Sequence, residues 1–139
     1  MCYTKLNMSQ NDKKVLVVED DIFLSQLLST RLEKAGIYVL KASDGEEALE
    51  IIKKERPNLV LLDIILPKKS GFEVAEEVAS NPMLRSIPII ITSNLGQDSD
   101  VERGKSLGVV EYLVKAKVNV DDLVAKVQSY LTKSSAVVR

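Results

Sequence analysis

No histidine occurs among the 139 residues, and no tryptophan. The first absence removes Ser-His-Asp triads, most zinc sites and any phosphohistidine of the chain's own. Cysteine is represented by Cys2 alone, so no internal disulfide can form. Its place in the polar opening MCYTKLNMSQNDKK reads as a stray thiol, suited to a reducing cytosol. An excess of either charge is missing too: 19 Lys and Arg face 20 Asp and Glu, a net charge of −1. No basic block can follow a phosphodiester backbone, so direct contact with nucleic acid is not expected. No apolar run approaches the ~18 residues a bilayer span requires, and the N-terminus has no hydrophobic segment to serve as a signal peptide. The expectation is a cytoplasmic protein without membrane insertion, with Met1 and Met8 as alternative starts.

Apolar residues make up 45% of the chain and charged residues 28%, the balance of one ordinary globular domain. Three continuous apolar runs, Val15 to Val18, Leu59 to Leu62 and Ile87 to Ile91, read as strands buried on both faces. Tyr38 to Ala42 and Val109 to Val114 make five. The segments between them have helical spacing: Leu24, Leu27, Leu28 and Leu32 share one face, as do Val120, Leu123, Val124, Val127 and Leu131. Asp44 is placed to cap EEALEIIKKE, Pro57 stops that run, and Gly36 stands where a helix C-terminus needs it. The segment from Ser99 to Leu107, interrupted by Gly104, is the weakest helix and is expected to be mobile. Five β-α units call for right-handed crossovers and a doubly wound α/β fold, a five-stranded parallel sheet with helices on both faces. Residues 1–12 and 134–139 read as tails around a domain of 13–133.

In such sheets ligands bind beyond the carboxyl ends of the strands. There the chain places Glu19, Asp20 and Asp21 after the first strand, Asp63 after the third, Thr92 and Ser93 after the fourth, and Lys115 after the fifth. Asp63 follows NLVLL and precedes IILP, and a bare carboxylate in so apolar a stretch would cost several kcal/mol or become protonated. It needs a cation and donors as neighbours. Two carboxylates ~5 Å apart repel by about 3 kcal/mol at an effective dielectric of 20, a strain that a hard divalent cation relieves. Mg²⁺ is the natural occupant. Asp21 alone fits a helix cap; Glu19 and Asp20, facing Asp63, exceed what capping explains.

With VLVVEDD at 15–21, ASDGEEAL at 42–49, LVLLDIILPKKSG at 59–71, PIIITS at 88–93 and EYLVK at 111–115, the sequence resembles the CheY-like receiver domain of two-component response regulators over residues 14 to about 132. The resemblance implies a flavodoxin-like sheet of order 2-1-3-4-5 with five helices. It implies that Asp63 is the phosphoacceptor and that Asp20, Asp63 and the Ile65 backbone carbonyl ligate Mg²⁺, with Glu19 acting through water. It further implies that Thr92 and Lys115 bind the phosphoryl group and that Tyr112 changes rotamer on activation. The expected function is phosphorelay signalling. A histidine kinase or phosphotransfer protein donates the phosphoryl group, and a downstream protein target reads it at Val101 to Lys105, Tyr112 and the last helix. Unless the chain is a fragment of a longer regulator, no effector domain is expected after Arg139 and output is expected through protein contacts. Catalysis would be confined to the protein's own phosphorylation, which is not a turnover enzyme's activity.

Two departures from that family's pattern carry expectations. Ala116 follows Lys115 where relatives usually have proline after a cis bond, and because a cis non-proline bond costs ~3–4 kcal/mol the Lys115–Ala116 bond is expected trans. Ile65 and Asn94 supply no carboxylate to orient a hydrolytic water, so self-dephosphorylation should be slow. An aspartyl phosphatase of the haloacid dehalogenase type would need an acid where Ile65 stands. A flavodoxin-like cofactor binder would want a phosphate loop where EDD repels phosphate. A pseudo-receiver, an interaction module without phosphorylation, is the remaining alternative.

Overall fold

The structure is a computed structural model that describes residues 13–137. The expected N-terminal tail, with Cys2 and both candidate start methionines, lies outside the described residues. In chain order the elements are β1 (Lys14–Val18), α1 (Ile22–Lys34), β2 (Tyr38–Ala42), α2 (Gly45–Glu55), β3 (Leu59–Leu62), α3 (Gly71–Ser80), β4 (Ile89–Ser93), α4 (Asp98–Ser106), β5 (Glu111–Val114), a 3₁₀ turn (Lys115–Lys117) and α5 (Val120–Val137). The five strands form one parallel sheet of order β2-β1-β3-β4-β5. That is the doubly wound arrangement expected from the sequence.

The central strands are apolar over residues 15–18, 59–62 and 89–91 because both of their faces are covered. Val15 and Val17 of β1 and Leu59 and Leu61 of β3 pack with Leu28 and Leu32 of α1 and Leu123, Val127 and Leu131 of α5. Their alternate neighbours Leu16, Val18, Val60 and Leu62 pack with Leu49 and Ile52 of α2 and Val74 and Val78 of α3. The period-two division of strand side chains thus builds two cores, one on each face.

Helix boundaries follow local chemistry. Asp21 caps α1 by accepting hydrogen bonds from the Phe23 and Leu24 amides at 3.0 and 3.2 Å. Asp44 caps α2 through the Glu47 amide at 2.8 Å. Ser70 and Glu73 form a reciprocal capping box at the start of α3.

Four boundaries or faces differ from the sequence reading. β4 runs Ile89–Ser93 rather than 87–91, because Pro88 has no N–H to give a neighbour and the Ile87 amide turns back to the Leu84 carbonyl. β5 starts at Glu111 rather than Val109, since Gly108 at φ 85° and the Val109 amide, bonded to the Gly104 carbonyl, belong to the turn leaving α4. α5 continues to Val137, beyond the boundary drawn at 133. Leu27 is 44% exposed, unlike its buried neighbours Leu28 and Leu32. At 100° per residue it lies at the margin of their stripe, on the side away from Leu32.

Gly36, at φ 87°, follows the C-cap Ala35 and donates its amide to the Glu33 carbonyl at 2.9 Å. An L-side chain pays about 1–2 kcal/mol for left-handed backbone. Gly36→Ala is therefore expected to lower unfolding stability by about that amount, measured as a shift in urea midpoint at unchanged m-value.

Candidate functional site

The acids at the strand ends are held first by their backbone. The Glu19 amide donates to the Ala42 carbonyl at 3.0 Å and the Asp63 amide to the Val18 carbonyl at 3.1 Å, so the sheet's hydrogen bonding continues one residue past β1 and β3. This fixes where both carboxylates start. Glu19 and Asp63 are buried, at 4% and 5% exposure, while Asp20 faces solvent. One oxygen from each of Glu19, Asp20 and Asp63 lies within 4.8 Å of the others.

Lys115, directly after β5, completes the cluster. Its Nζ donates to Glu19 Oε1 at 2.8 Å and to Asp63 Oδ2 at 3.0 Å. Asp63 Oδ1 accepts from the Ile65 amide at 3.4 Å, and Glu19 Oε2 from the Asp21 amide at 3.2 Å. The cation and donors that the apolar setting of Asp63 demands are therefore present. Burial pushes the Glu19 carboxyl above the usual carboxylate range; the Lys115 hydrogen bond opposes that and the Asp63 charge reinforces it. Burial works to lower the Lys115 pKa, but the hydrogen bonds to Glu19 and Asp63 outweigh it and hold the ammonium above its ordinary value.

Thr92 is buried at the end of β4. The register pairs Leu62 with Ile91, and carried one residue further it sets Asp63 beside Thr92. Thr92 and Lys115 line a common cavity of about 70 Å³ with Leu24, Leu28 and Leu123. The Tyr112 hydroxyl donates to the Leu95 carbonyl at 2.6 Å, in the loop that follows Thr92 and Ser93. Its ring lies against Gly104, where a Cβ would come within 2.8 Å of Tyr112 Cδ2. Burial, then the charges of Asp100 and Asp63, raise the Tyr112 pKa. The Lys115–Ala116 bond is trans, as are all peptide bonds among the described residues.

The sequence-derived set thus converges: Glu19, Asp20, Asp63 and Lys115 form one cluster, Thr92 joins it through the adjacent strand, and Tyr112 lies one loop away. Two features went unread. The Glu19–Lys115 pair joins residues 96 positions apart, which local pattern cannot reveal. Gly71 reads in the sequence only as a break, yet a Cβ there would lie 2.1 Å from the Asp63 carbonyl oxygen. The start of α3 is pressed against the aspartate's backbone.

The donor set is three carboxylates of hard oxygen, the chemistry preferred by Mg²⁺ or Ca²⁺ rather than by soft-ligand metals. The cluster's three acids against one lysine leave it short of positive charge. The residues present therefore fit a hard divalent ion.

A family model described as response regulator receiver domain matches residues 15–128. A probable transcriptional regulator, ycf27, of Cyanophora paradoxa is 41% identical over 127 residues, 91% of this chain and 52% of that protein. The chain spans about half the length of this and other curated relatives it matches. Among solved structures, a CheY-like response regulator receiver domain protein from Methanospirillum hungatei superposes with a TM-score of 0.82 at 27% identity, covering 89% of this chain and 97% of that one. The BeF₃-activated N-terminal receiver domain of Klebsiella pneumoniae RstA gives 0.75 at 29%, covering 86% and 98%. No helix among the described residues is long and apolar enough to cross a membrane.

A ligand that binds only the folded state stabilises it by about 2.7 kcal/mol at 100 times its Kd. Saturating Mg²⁺ should therefore raise the melting temperature, EDTA should reverse the rise, and the effect should be lost or strongly reduced in Asp63→Asn.

Proposed function

The chain belongs to the response regulator receiver domain family, and we propose that Asp63 is its phosphoacceptor, with Mg²⁺ as cofactor and a histidine kinase or phosphotransfer protein as donor. The observation that carries this reading is the buried Asp63 carboxylate held at the end of β3 with the Lys115 ammonium 3.0 Å from one oxygen. A carboxylate attacks a phosphoryl group poorly because both are negative, so positive charge has to be fixed in place beforehand. Lys115 supplies part of it. Glu19, Asp20, Asp63 and the Ile65 carbonyl would hold a divalent cation, which would supply the rest of the positive charge.

In the transfer, an Asp63 oxygen forms a bond to phosphorus, the donor's P–N bond breaks, and the departing imidazole nitrogen keeps the electron pair. The acyl phosphate brings about −2 charge and new acceptor oxygens. In this reading Lys115 and the Thr92 hydroxyl bind them. A shift of Thr92 would act on the Leu95 loop, to which the Tyr112 hydroxyl is bonded. That links the site to a surface of α4, Tyr112 and α5, the proposed face for a downstream protein target. Because only its own carboxylate reacts, the protein is in this reading a switch and not a turnover enzyme.

The donor's approach is marked by apolar side chains in water beside the acids. Ile22 is 78% exposed, Phe23 87% and Ile65 60%. Ile22 also lines, with Glu19, Ser25 and Lys41, an open cleft of about 270 Å³ next to the cluster. Apolar residues rimming a polar reactive centre suit a protein donor, whose surface excludes water as the phosphorus is delivered.

Acetyl phosphate with Mg²⁺ should add one phosphoryl group, seen by intact mass, and BeF₃⁻ should form the matching complex; Asp63→Asn should do neither. Absence of any adduct on the unmodified protein would favour a phosphorylation-independent interaction module. With Ile65 unable to orient water, the acyl phosphate should be long-lived. Ile65→Asn should shorten its half-life several-fold, and an equal or longer half-life contradicts this account.

A further inference from the structure

The loop from Ile64 to Ser70 follows Asp63 and includes Ile65, whose carbonyl the reading above assigns to the cation. One side of this loop is secured by α3, where the Gly71 amide donates to the Ile64 carbonyl at 2.8 Å and Lys69 Nζ meets Glu77 Oε2 at 2.5 Å. The other side rests on the first residues of α2. The Gly45 amide donates to the Pro67 carbonyl at 3.3 Å, and Lys68 Nζ lies 3.7 Å from Asp44 Oδ2. The approach is so close that a Cβ on Gly45 would lie 2.1 Å from the Lys69 carbonyl oxygen and 2.5 Å from Lys69 Cβ. The first obstacle is backbone, which cannot swing aside as a side-chain tip does.

Within the loop, Lys68 has φ 70°, left-handed backbone that a lysine does not choose for itself. Strain of this kind persists where surrounding structure over-determines the conformation. Here the surrounding structure is the α2 corner.

We propose that Gly45 is a positioning residue for the divalent-cation site: its missing side chain lets the start of α2 seat the Pro67–Lys69 segment and so aims the Ile65 carbonyl. The proposal rests on the assignment of the cation site to Glu19, Asp20, Asp63 and Ile65. The α2 corner touches none of the three carboxylates in the contacts given above, so its influence runs through the loop. Ordinary contact begins near 3.4 Å, so a side chain at position 45 must displace the loop or the helix by more than 1 Å. A misplacement of about 1 Å can cost on the order of 100-fold in a site that depends on geometry.

The test is Mg²⁺ titration of the full chain by calorimetry, with circular dichroism melts alongside. Gly45→Ala should keep a native spectrum and bind Mg²⁺ at least ten-fold more weakly. A folded Gly45→Ala protein with unchanged affinity overturns the proposal. Should Gly45→Ala not fold, Lys68→Gly decides. Glycine accepts φ 70° without the steric cost; it gives up the exposed Lys68–Asp44 pair but keeps the Gly45–Pro67 hydrogen bond and the close Gly45–Lys69 approach, so affinity should stay within two-fold of the parent. A ten-fold loss in Lys68→Gly shows that the loop's own backbone aims the carbonyl, and the proposal falls. Parent protein that binds Mg²⁺ but takes neither phosphoryl nor BeF₃⁻ defeats the phosphoacceptor reading and leaves the role of Gly45 standing. Parent protein that binds no Mg²⁺ defeats both.

Discussion

The Lys115 ammonium, set between two buried carboxylates, is the interaction on which the site depends. Glu19 and Asp63 come from β1 and β3, neighbours at the centre of the sheet, and are buried with little access to water. Without a cation from elsewhere, two negative groups in that position would have to take up protons or expel each other. β5 lies two strands from β3, and the long lysine side chain reaches across β4 to close the gap. The purpose of the sheet, in this respect, is to hold one ammonium and two carboxylates at the distances where they are tolerable together but still deficient in positive charge.

That deficiency makes the site responsive. In the proposed function, this shortfall is what a divalent ion would fill; a fully neutral cluster would have no use for one. The chain keeps three acids on one lysine and uses a parallel sheet, apolar over residues 15–18, 59–62 and 89–91, to prevent them from moving apart. The two cores are apolar and closely packed, and the rim carries left-handed backbone at Lys68 and the mutual repulsion of Glu19 and Asp63.

Most of the architecture was legible in the sequence because its signals are local. Apolar runs of four or five residues, caps at Asp21 and Asp44, and glycine at position 36 each rest on chemistry within a turn or two. The boundaries that moved did so where a turn overrode an apolar run: the Ile87 amide turns back to Leu84 ahead of Pro88, and the Val109 amide is drawn into a turn by Gly104. The acidic cluster was legible because strand ends in a parallel sheet share one edge, so counting residues to those ends brings Glu19, Asp63, Thr92 and Lys115 together. The contacts of Gly45 and Gly71 were not. A glycine needed for close approach and a glycine needed for a turn are the same letter, and only the position of Lys69 or Asp63 in space tells them apart. The exposure of Phe23 was hidden likewise, since an aromatic at a helix start gives no sign of which way it faces.

Glu19 and Lys115 stand 96 positions apart, one just after the first strand and one just after the last. During synthesis the acids of β1 and β3 emerge long before their counter-ion, because chains are made at about 5–20 residues per second. For several seconds the nascent sheet carries a pair of carboxylates that it cannot bury. Closing the central strands without Lys115 would bury Glu19 and Asp63 with no counter-ion, so the last strand's neighbour is what makes burial of the first strand's acid tolerable.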